Sequence, residues 1–329
     1  MIRRLIVLAS VLVLAAGCSP PKTKAEQEQE PLNFSILSAE SQKSLGPLWQ
    51  PLLDDLSKAI DRPVKAFFAS NYTSLIEAMR FNQVQLGWFS ALPALEAIRR
   101  ADGEVLGRVV GDTGVDSYTS VLIVRKASGI TLEDVLKCDK RLSFGLGDAK
   151  STSGTLAPMA YLFIPRGINP SDCFKAVRSA SHESNVWGVS KGVLDVATNN
   201  SVGLLFARRD NAVIAENVEV IWESPPLPES AIVARKDMDP ALKAKIAAFF
   251  LAYGTGEGPE ADRQRKVMKG LTYGGFKVAG ADYLDPIRKM EASTALVEAK
   301  RGRDKAKIAA AQAEFDALNT PPPPARPGS

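Results

Sequence analysis

Ser151, Thr152, Ser153 and Gly154 set three hydroxyls side by side with a glycine behind them. They follow an apolar strand reading over 142–148 and precede a helix reading from Thr155 to about Arg166. The first turn of a helix leaves N–H groups unpaired and carries the positive end of the dipole, which stabilises an anion there. Hydroxyls add donors without adding net charge. Farther along, Ser181-His182-Glu183 contains the only histidine of the chain. As a donor, that ring would hold an oxyanion in either protonation state. Together these residues fit a binding site for a small phosphorus oxyanion, not a catalytic centre.

Each group has a plainer reading. One hydroxyl would suffice to cap a helix; three followed by glycine exceed what capping needs. The stretch 145–152 resembles a phosphate-binding P-loop, but Ala149 precedes Lys150 where that motif requires glycine, and its spacing is one short. A nucleotide triphosphate site is therefore excluded. A serine hydrolase would use Ser151 or Ser153 as nucleophile, His182 as base, and Asp148 or Glu183 to orient it. No Gly-x-Ser-x-Gly elbow surrounds either serine. One histidine and two distant cysteines cannot assemble a zinc site, so neither metal nor cofactor is expected. Tyr72 and Tyr118 follow strand ends in polar surroundings, where their hydroxyls would reach a cleft. Trp88 and Phe89 read as core.

The elements that must position these groups alternate between strand and helix. Strand readings at 33–37, 64–68, 86–89 and 104–111 are separated by helix readings, which predicts α/β layers with mostly parallel sheets. A long β-branched strand over 118–124 follows, and the alternation then restarts. The pattern describes a two-lobe clamp, with 32–116 and 227–285 as lobe one and 117–226 as lobe two. Ligands in open α/β sheets sit beyond the carboxyl ends of strands, where Ser151–Ser153 and His182 fall. Residues 286–318 read as a helical extension and 319–329, rich in proline, as a tail. Cys138 and Cys173 each lie just upstream of a strand reading with one helix between, so neighbouring parallel strands would allow a bridge; two separate thiols are the alternative.

The N-terminus reads as a targeting segment. Arg3 and Arg4 precede an apolar run from Leu5 to Ala16, and Ala15-Ala16-Gly17-Cys18 forms a small-residue cleavage site. Cysteine after Ala-Gly marks Cys18 as the lipidated residue of a lipoprotein signal spanning 1–17; an ordinary cleaved signal is the alternative. Residues 18–31 have the polar composition of a tether. The formal charge of +4 falls to +2 without Arg3 and Arg4. With no basic stripe interleaved with aromatics, nucleic acid is not an expected partner.

Six stretches in one order resemble the periplasmic phosphonate-binding proteins of ABC importers. They are 34–42, 79–82, 117–124, 148–154, 182–185 and 195–200, within a similarity reaching from Leu32 to Pro286. The resemblance implies a type II two-lobe clamp in which Ser151, Thr152, Ser153 and His182 hold phosphonate oxygens and Tyr72 and Tyr118 line the cleft. It also implies an ABC permease as partner and no enzymatic step; with the Cys18 signal, a monomer anchored in the periplasm by lipid is expected. Aminoalkylphosphonate binders of this kind place acidic side chains around the substrate ammonium. Val202 and Ser230 stand at the matching positions, with Glu229 adjacent. A buried, unpaired ammonium is strongly disfavoured, so methylphosphonate, another small alkylphosphonate or phosphite is the expected ligand. A sulfonate is the alternative.

Overall fold

A computed structural model describes residues 30–280 and 282–319. Cys18 and the signal and tether readings before residue 30 lie outside the described residues, as does the tail from residue 320. Among the described residues no helix is long and apolar enough to cross a membrane.

The chain begins with β1 (Leu32–Ile36), α1 (Gln42–Ile60), β2 (Val64–Phe67), α2 (Tyr72–Arg80), β3 (Leu86–Phe89) and α3 (Ala91–Arg100). β4 (Gly103–Gly111) then leads through β5 (Ser117–Tyr118) into β6 (Ser120–Arg125). The second lobe continues with α4 (Leu132–Leu136), β7 (Ser143–Leu146), a helix α5 over 152–166, α6 (Pro170–Cys173), β8 (Ala176–Ser179), α7 (His182–Ser190) and β9 (Val196–Asn200). After α8 (Ser201–Asp210), α9 (Ala212–Glu216) and β10 (Val218–Glu223), the chain returns through β11 (Leu227–Pro228). It finishes with β12 (Ala231–Arg235), α10 (Pro240–Ala252), α11 (Pro259–Gly270), β13 (Tyr273–Lys277), α12 (Asp285–Gly302) and α13 (Lys305–Asn319).

Two sheets result, ordered β13-β4-β12-β3-β1-β2 and β10-β6-β9-β7-β8, and the β5–β11 ribbon links them. They are less parallel than the alternation of elements predicts. Among the described residues four strand pairings are parallel, β1–β2, β1–β3, β7–β8 and β7–β9, while six are antiparallel. Only strands joined through a helix crossover must pair in parallel. β4, β6 and β12 adjoin the link between sheets, and β10 and β13 return from elsewhere in the sequence; all five pair antiparallel.

Burial follows from the covering of these sheets. In β6 every residue from Ser120 to Val124 is buried. Leu122 and Val124 join Phe144 and Phe163 in one cluster, whereas Val121 and Ile123 join Val186 and Val189 in another. Successive strand residues point to opposite faces, so a sheet covered on both sides reads as an unbroken apolar run. Lobe one closes around Phe34, Trp49, Trp88, Phe89 and Phe250. Cys138 and Cys173 are bonded to each other beside the first lobe-two cluster.

Two helices differ from the sequence reading. α5 begins at Thr152, three residues earlier than read, because Ser151 is its N-cap and accepts from Gly154 N–H (2.9 Å). The extension over 286–318 is two helices. Gly302 ends the first, Arg303 turns in the left-handed region at φ 55°, and Asp304 caps the second through Ala306 N–H (3.0 Å). α12 buries Ile287, Met290 and Leu296 and salt-bridges to α3 through Glu291 and Arg99 (2.8 Å), whereas α13 has no buried residue.

Candidate functional site

The cleft between the lobes is lined by groups from both. Ser151, Ser153, His182, Asn200, Val202 and Phe206 come from lobe two. Leu37, Glu40, Tyr72, Trp88, Ser90, Glu229, Ser230 and Tyr273 come from lobe one and its return, with Tyr118 on the linking ribbon. They surround about 490 Å³ not filled by protein atoms, part of it open to solvent. Neither lysine nor arginine is among the described residues that line it.

The start of α5 is held by its own sequence. Pro158 lacks an N–H and cannot donate to the carbonyl of Gly154 four residues back. That carbonyl accepts instead from Gly147 N–H (2.9 Å) and Thr198 Oγ1 (2.8 Å), and the turn Thr152–Leu156 widens to the π type. Ser120 Oγ donates to the Ser153 carbonyl (2.6 Å). A Cβ on Gly154 would lie 2.8 Å from Gly147 Cα and 3.2 Å from His182 Cε1, so only glycine lets strand, helix and imidazole meet here. With the carbonyls pinned from behind and Gly154 N–H capped by Ser151 Oγ, the N–H groups of Thr152 and Ser153 are the ones left for an anion.

His182 opens α7, and its Nε2 lies 3.4 Å from both Ser151 Oγ and Ser153 Oγ. The ring is buried and its Nδ1 has no hydrogen-bond partner. Burial lowers its pKa from 6.5 to about 4, so it is neutral at physiological pH. The Tyr72 phenol lies beside Ser151, and that of Tyr118 beside Ser153 and Thr152. Burial raises the pKa of both phenols, which keeps them as protonated donors.

Thr152 departs from the expected ligand set, because its hydroxyl faces lobe one. Its Oγ1 accepts from Leu92 N–H (2.9 Å) at the start of α3 and meets Ser90 Oγ at 3.3 Å. Ser90 is the N-cap of that helix but makes no side-chain cap bond of its own, so Thr152 supplies one from the opposite lobe. Two carboxylates act alike. Glu183 Oε2 accepts from Ser41 N–H (2.6 Å), the cap of α1, and Asp148 Oδ2 accepts from Tyr72 N–H (3.1 Å), the first residue of α2. Three lobe-one helices thus begin against three side chains of lobe two.

These bonds also bear on hydrolysis. Asp148 and Glu183, the carboxylates a serine hydrolase would use here to orient the imidazole, instead accept from lobe-one backbone, and among the described residues His182 Nδ1 has no hydrogen-bond partner.

Sequence reading missed part of the lining. Glu40 lies inside a stretch quoted for the resemblance, yet nothing local marks it as a cleft residue. Its carboxyl pKa is raised by burial and then by the charges of Glu183 and Asp210. Glu229, adjacent to a matching position, does line the cleft, and its Oε2 accepts from Ser230 N–H (2.9 Å) and Ser230 Oγ (3.1 Å). Burial raises its pKa against those bonds. The cleft therefore holds two carboxyl groups where the residue pattern suggested only alcohols, amides and an imidazole. Trp88, read as core, is both core and lining.

Known proteins resemble this chain in sequence and fold. Residues 34–284 match the family model described as ABC transporter, phosphonate, periplasmic substrate-binding protein. The phosphonates-binding periplasmic protein of Escherichia coli (strain K12) is 38% identical over 321 residues, covering 95% of this chain and 93% of that one. The crystal structure of a binding-protein component of an ABC phosphonate transporter from Pseudomonas aeruginosa superposes with a TM-score of 0.84 at 35% identity, over 88% of this chain and 97% of that one. A Prochlorococcus marinus protein solved with methylphosphonate shares the fold at 21% identity, with a TM-score of 0.70 over 79% of this chain and 96% of that one. The chain belongs to the periplasmic substrate-binding proteins of ABC phosphonate transporters.

Proposed function

We propose that this protein captures a small phosphonate or phosphite lacking an ammonium group and carries it, chemically unchanged, to its permease. The observation that carries this reading is the convergence of Ser151, Ser153, His182, Tyr72 and Tyr118 on the first turn of α5, with neither lysine nor arginine among the described residues that line the cleft. Neutral donors of that number suit an oxyanion of about two charges. Val202 and Ser230 bring no carboxylate to the positions where aminoalkylphosphonate binders carry one. The two carboxyls that are present, Glu40 and Glu229, have raised pKa values and hold protons more readily than exposed ones. We also propose that Cys18 carries the lipid anchor and that the protein acts as a monomer.

Calorimetry with methylphosphonate, phosphite, 2-aminoethylphosphonate and methanesulfonate tests the ligand class. Methylphosphonate or phosphite should bind tightest. Tighter binding of 2-aminoethylphosphonate would show that Glu40 or Glu229 ionises to pair with the ammonium. Preference for methanesulfonate would reassign the cleft to sulfonates. Phosphoester turnover that disappears in Ser151→Ala would replace transport with hydrolysis.

A further inference from the structure

The oxyanion end of the cleft leaves its lobe-one wall without a task. There Trp88 at the end of β3, Ser230 before β12 and Tyr273 at the start of β13 approach one another across the edge of the sheet. They are 7%, 4% and 5% exposed, and all three line the cleft. The rings of Trp88 and Tyr273 lie 6.5 Å apart between centroids. Trp88 and Ser230 stand near enough to act on the Tyr273 phenol, yet Trp88 Nε1 and Tyr273 Oη have no hydrogen-bond partner among the described residues. Trp49 Nε1 is similarly unpaired but does not line the cleft.

We propose that Trp88, Tyr273 and Ser230 form a second subsite that reads a hydroxyl group on the organic part of the ligand. The inference rests on the phosphonate reading of the oxyanion end. Donor and acceptor types select the group. The Trp88 N–H can only donate and the Tyr273 hydroxyl is free to donate. Ser230 Oγ directs its proton to Glu229 Oε2, which leaves its lone pairs to accept. Two donors and one acceptor complement an alcohol, which accepts twice and donates once. An alkyl group would offer the two donors no acceptor and leave them only one another and Ser230. An ammonium accepts nothing and would face the indole N–H donor to donor. A carboxylate would be brought against Glu229.

Calorimetry compares ethylphosphonate, 2-hydroxyethylphosphonate and 2-aminoethylphosphonate on the wild-type protein and on Tyr273→Phe and Ser230→Ala. The wild type should bind the hydroxyl compound about tenfold more tightly than ethylphosphonate. Each variant should reduce that ratio by about three- to tenfold, the range for one neutral hydrogen bond. Two variants from different strands keep the test valid if one fails to fold. If ethylphosphonate binds but the hydroxyl confers no gain, or if both folded variants leave the ratio unmoved, the subsite is wrong and the phosphonate reading stands. If 2-aminoethylphosphonate binds tightest, the subsite is a cation acceptor centred on Glu229 and the proposal is overturned. If no phosphonate binds, both readings fail.

Discussion

Thr152→Val offers a test of how closing the cleft contributes to affinity. The substitution keeps the shape of the side chain and removes only the oxygen that accepts from Leu92 N–H at 2.9 Å. Leu92 and Thr152 are both buried where the lobes meet. With the lobes apart, water can satisfy that N–H; with them together and valine opposite, nothing does. A buried, unsatisfied donor costs about 1–3 kcal/mol, and here the cost falls on the closed state alone. Apparent affinity scales with the population of the binding-competent state, so the dissociation constant should rise by roughly 5- to 150-fold. Because Thr152 does not line the cleft, the factor should be the same for phosphite, methylphosphonate and ethylphosphonate. Thr152→Ser keeps the acceptor and should bind within about twofold of wild type, since one hydrogen bond is conserved. Titration calorimetry gives the constants, and solution X-ray scattering with saturating ligand reports whether the lobes still close. Wild-type affinity in Thr152→Val would refute the reasoning. So would a factor that differs more than about threefold between ligands, which would mean that this hydroxyl touches the ligand after all.

Three further outcomes are expected. His182→Ala should weaken phosphonate binding by about 1.5–3 kcal/mol in calorimetry, the range for a hydrogen bond to a charged group; unchanged affinity would remove His182 from the site. The ligand-free protein should lose stability as pH falls from 6.5 through about 4, because the unfolded chain takes up the histidine proton that the buried ring refuses. Thermal melts across that window should show a flatter profile for His182→Gln, and an identical slope would contradict the lowered pKa. Replacing both Cys138 and Cys173 with serine should lower unfolding free energy in denaturant titration by about 3–4 kcal/mol for a loop of this length; the sequence separation is 35.

Much of the frame was legible because local chemistry sets it. β6 shows its burial on both faces in an unbroken run of β-branched and apolar residues, and Ser41, Asn71, Ser151, Ser181 and Asn200 all cap helices through their own side chains. Ser151, Ser153 and His182, which the structure brings together in the cleft, stood out because three hydroxyls before a glycine exceed what capping a helix needs. What escaped depends on partners remote in sequence. Thr152 meets Leu92 across 60 residues, and nothing in Ser-Thr-Ser distinguishes the hydroxyl that turns to the opposite lobe. Glu40 and Tyr273 reach the cleft from strand ends whose position depends on the order of strands in the sheet. The break at Gly302-Arg303-Asp304 was local, but a run of alanines and charges on both sides masks a stop followed by a cap.

If the lobes close on the ligand, the absence of a cation from the described cleft lining and the contacts of Asp148 and Glu183 with lobe-one helix starts would couple binding to closure. An anion resting on the start of α5 in an open protein would feel Asp148 and Glu183 of the same lobe, and like charges nearby oppose it. In this structure each of these carboxylates rests against a helix start of lobe one, Asp148 on α2 and Glu183 on α1. The positive ends of those dipoles offset the two negative charges, at about 0.3–1 kcal/mol for each exposed contact. Closure would then remove a repulsion as well as add donors such as Tyr72. The same arrangement would favour release: with the lobes apart, the carboxylates would be unmatched, the helix starts would regain water, and the anion would face two negative charges on the lobe that holds it. A lysine or arginine in the cleft would bind the anion in both states and blunt this difference, whereas hydroxyls and helix ends let closure decide the affinity.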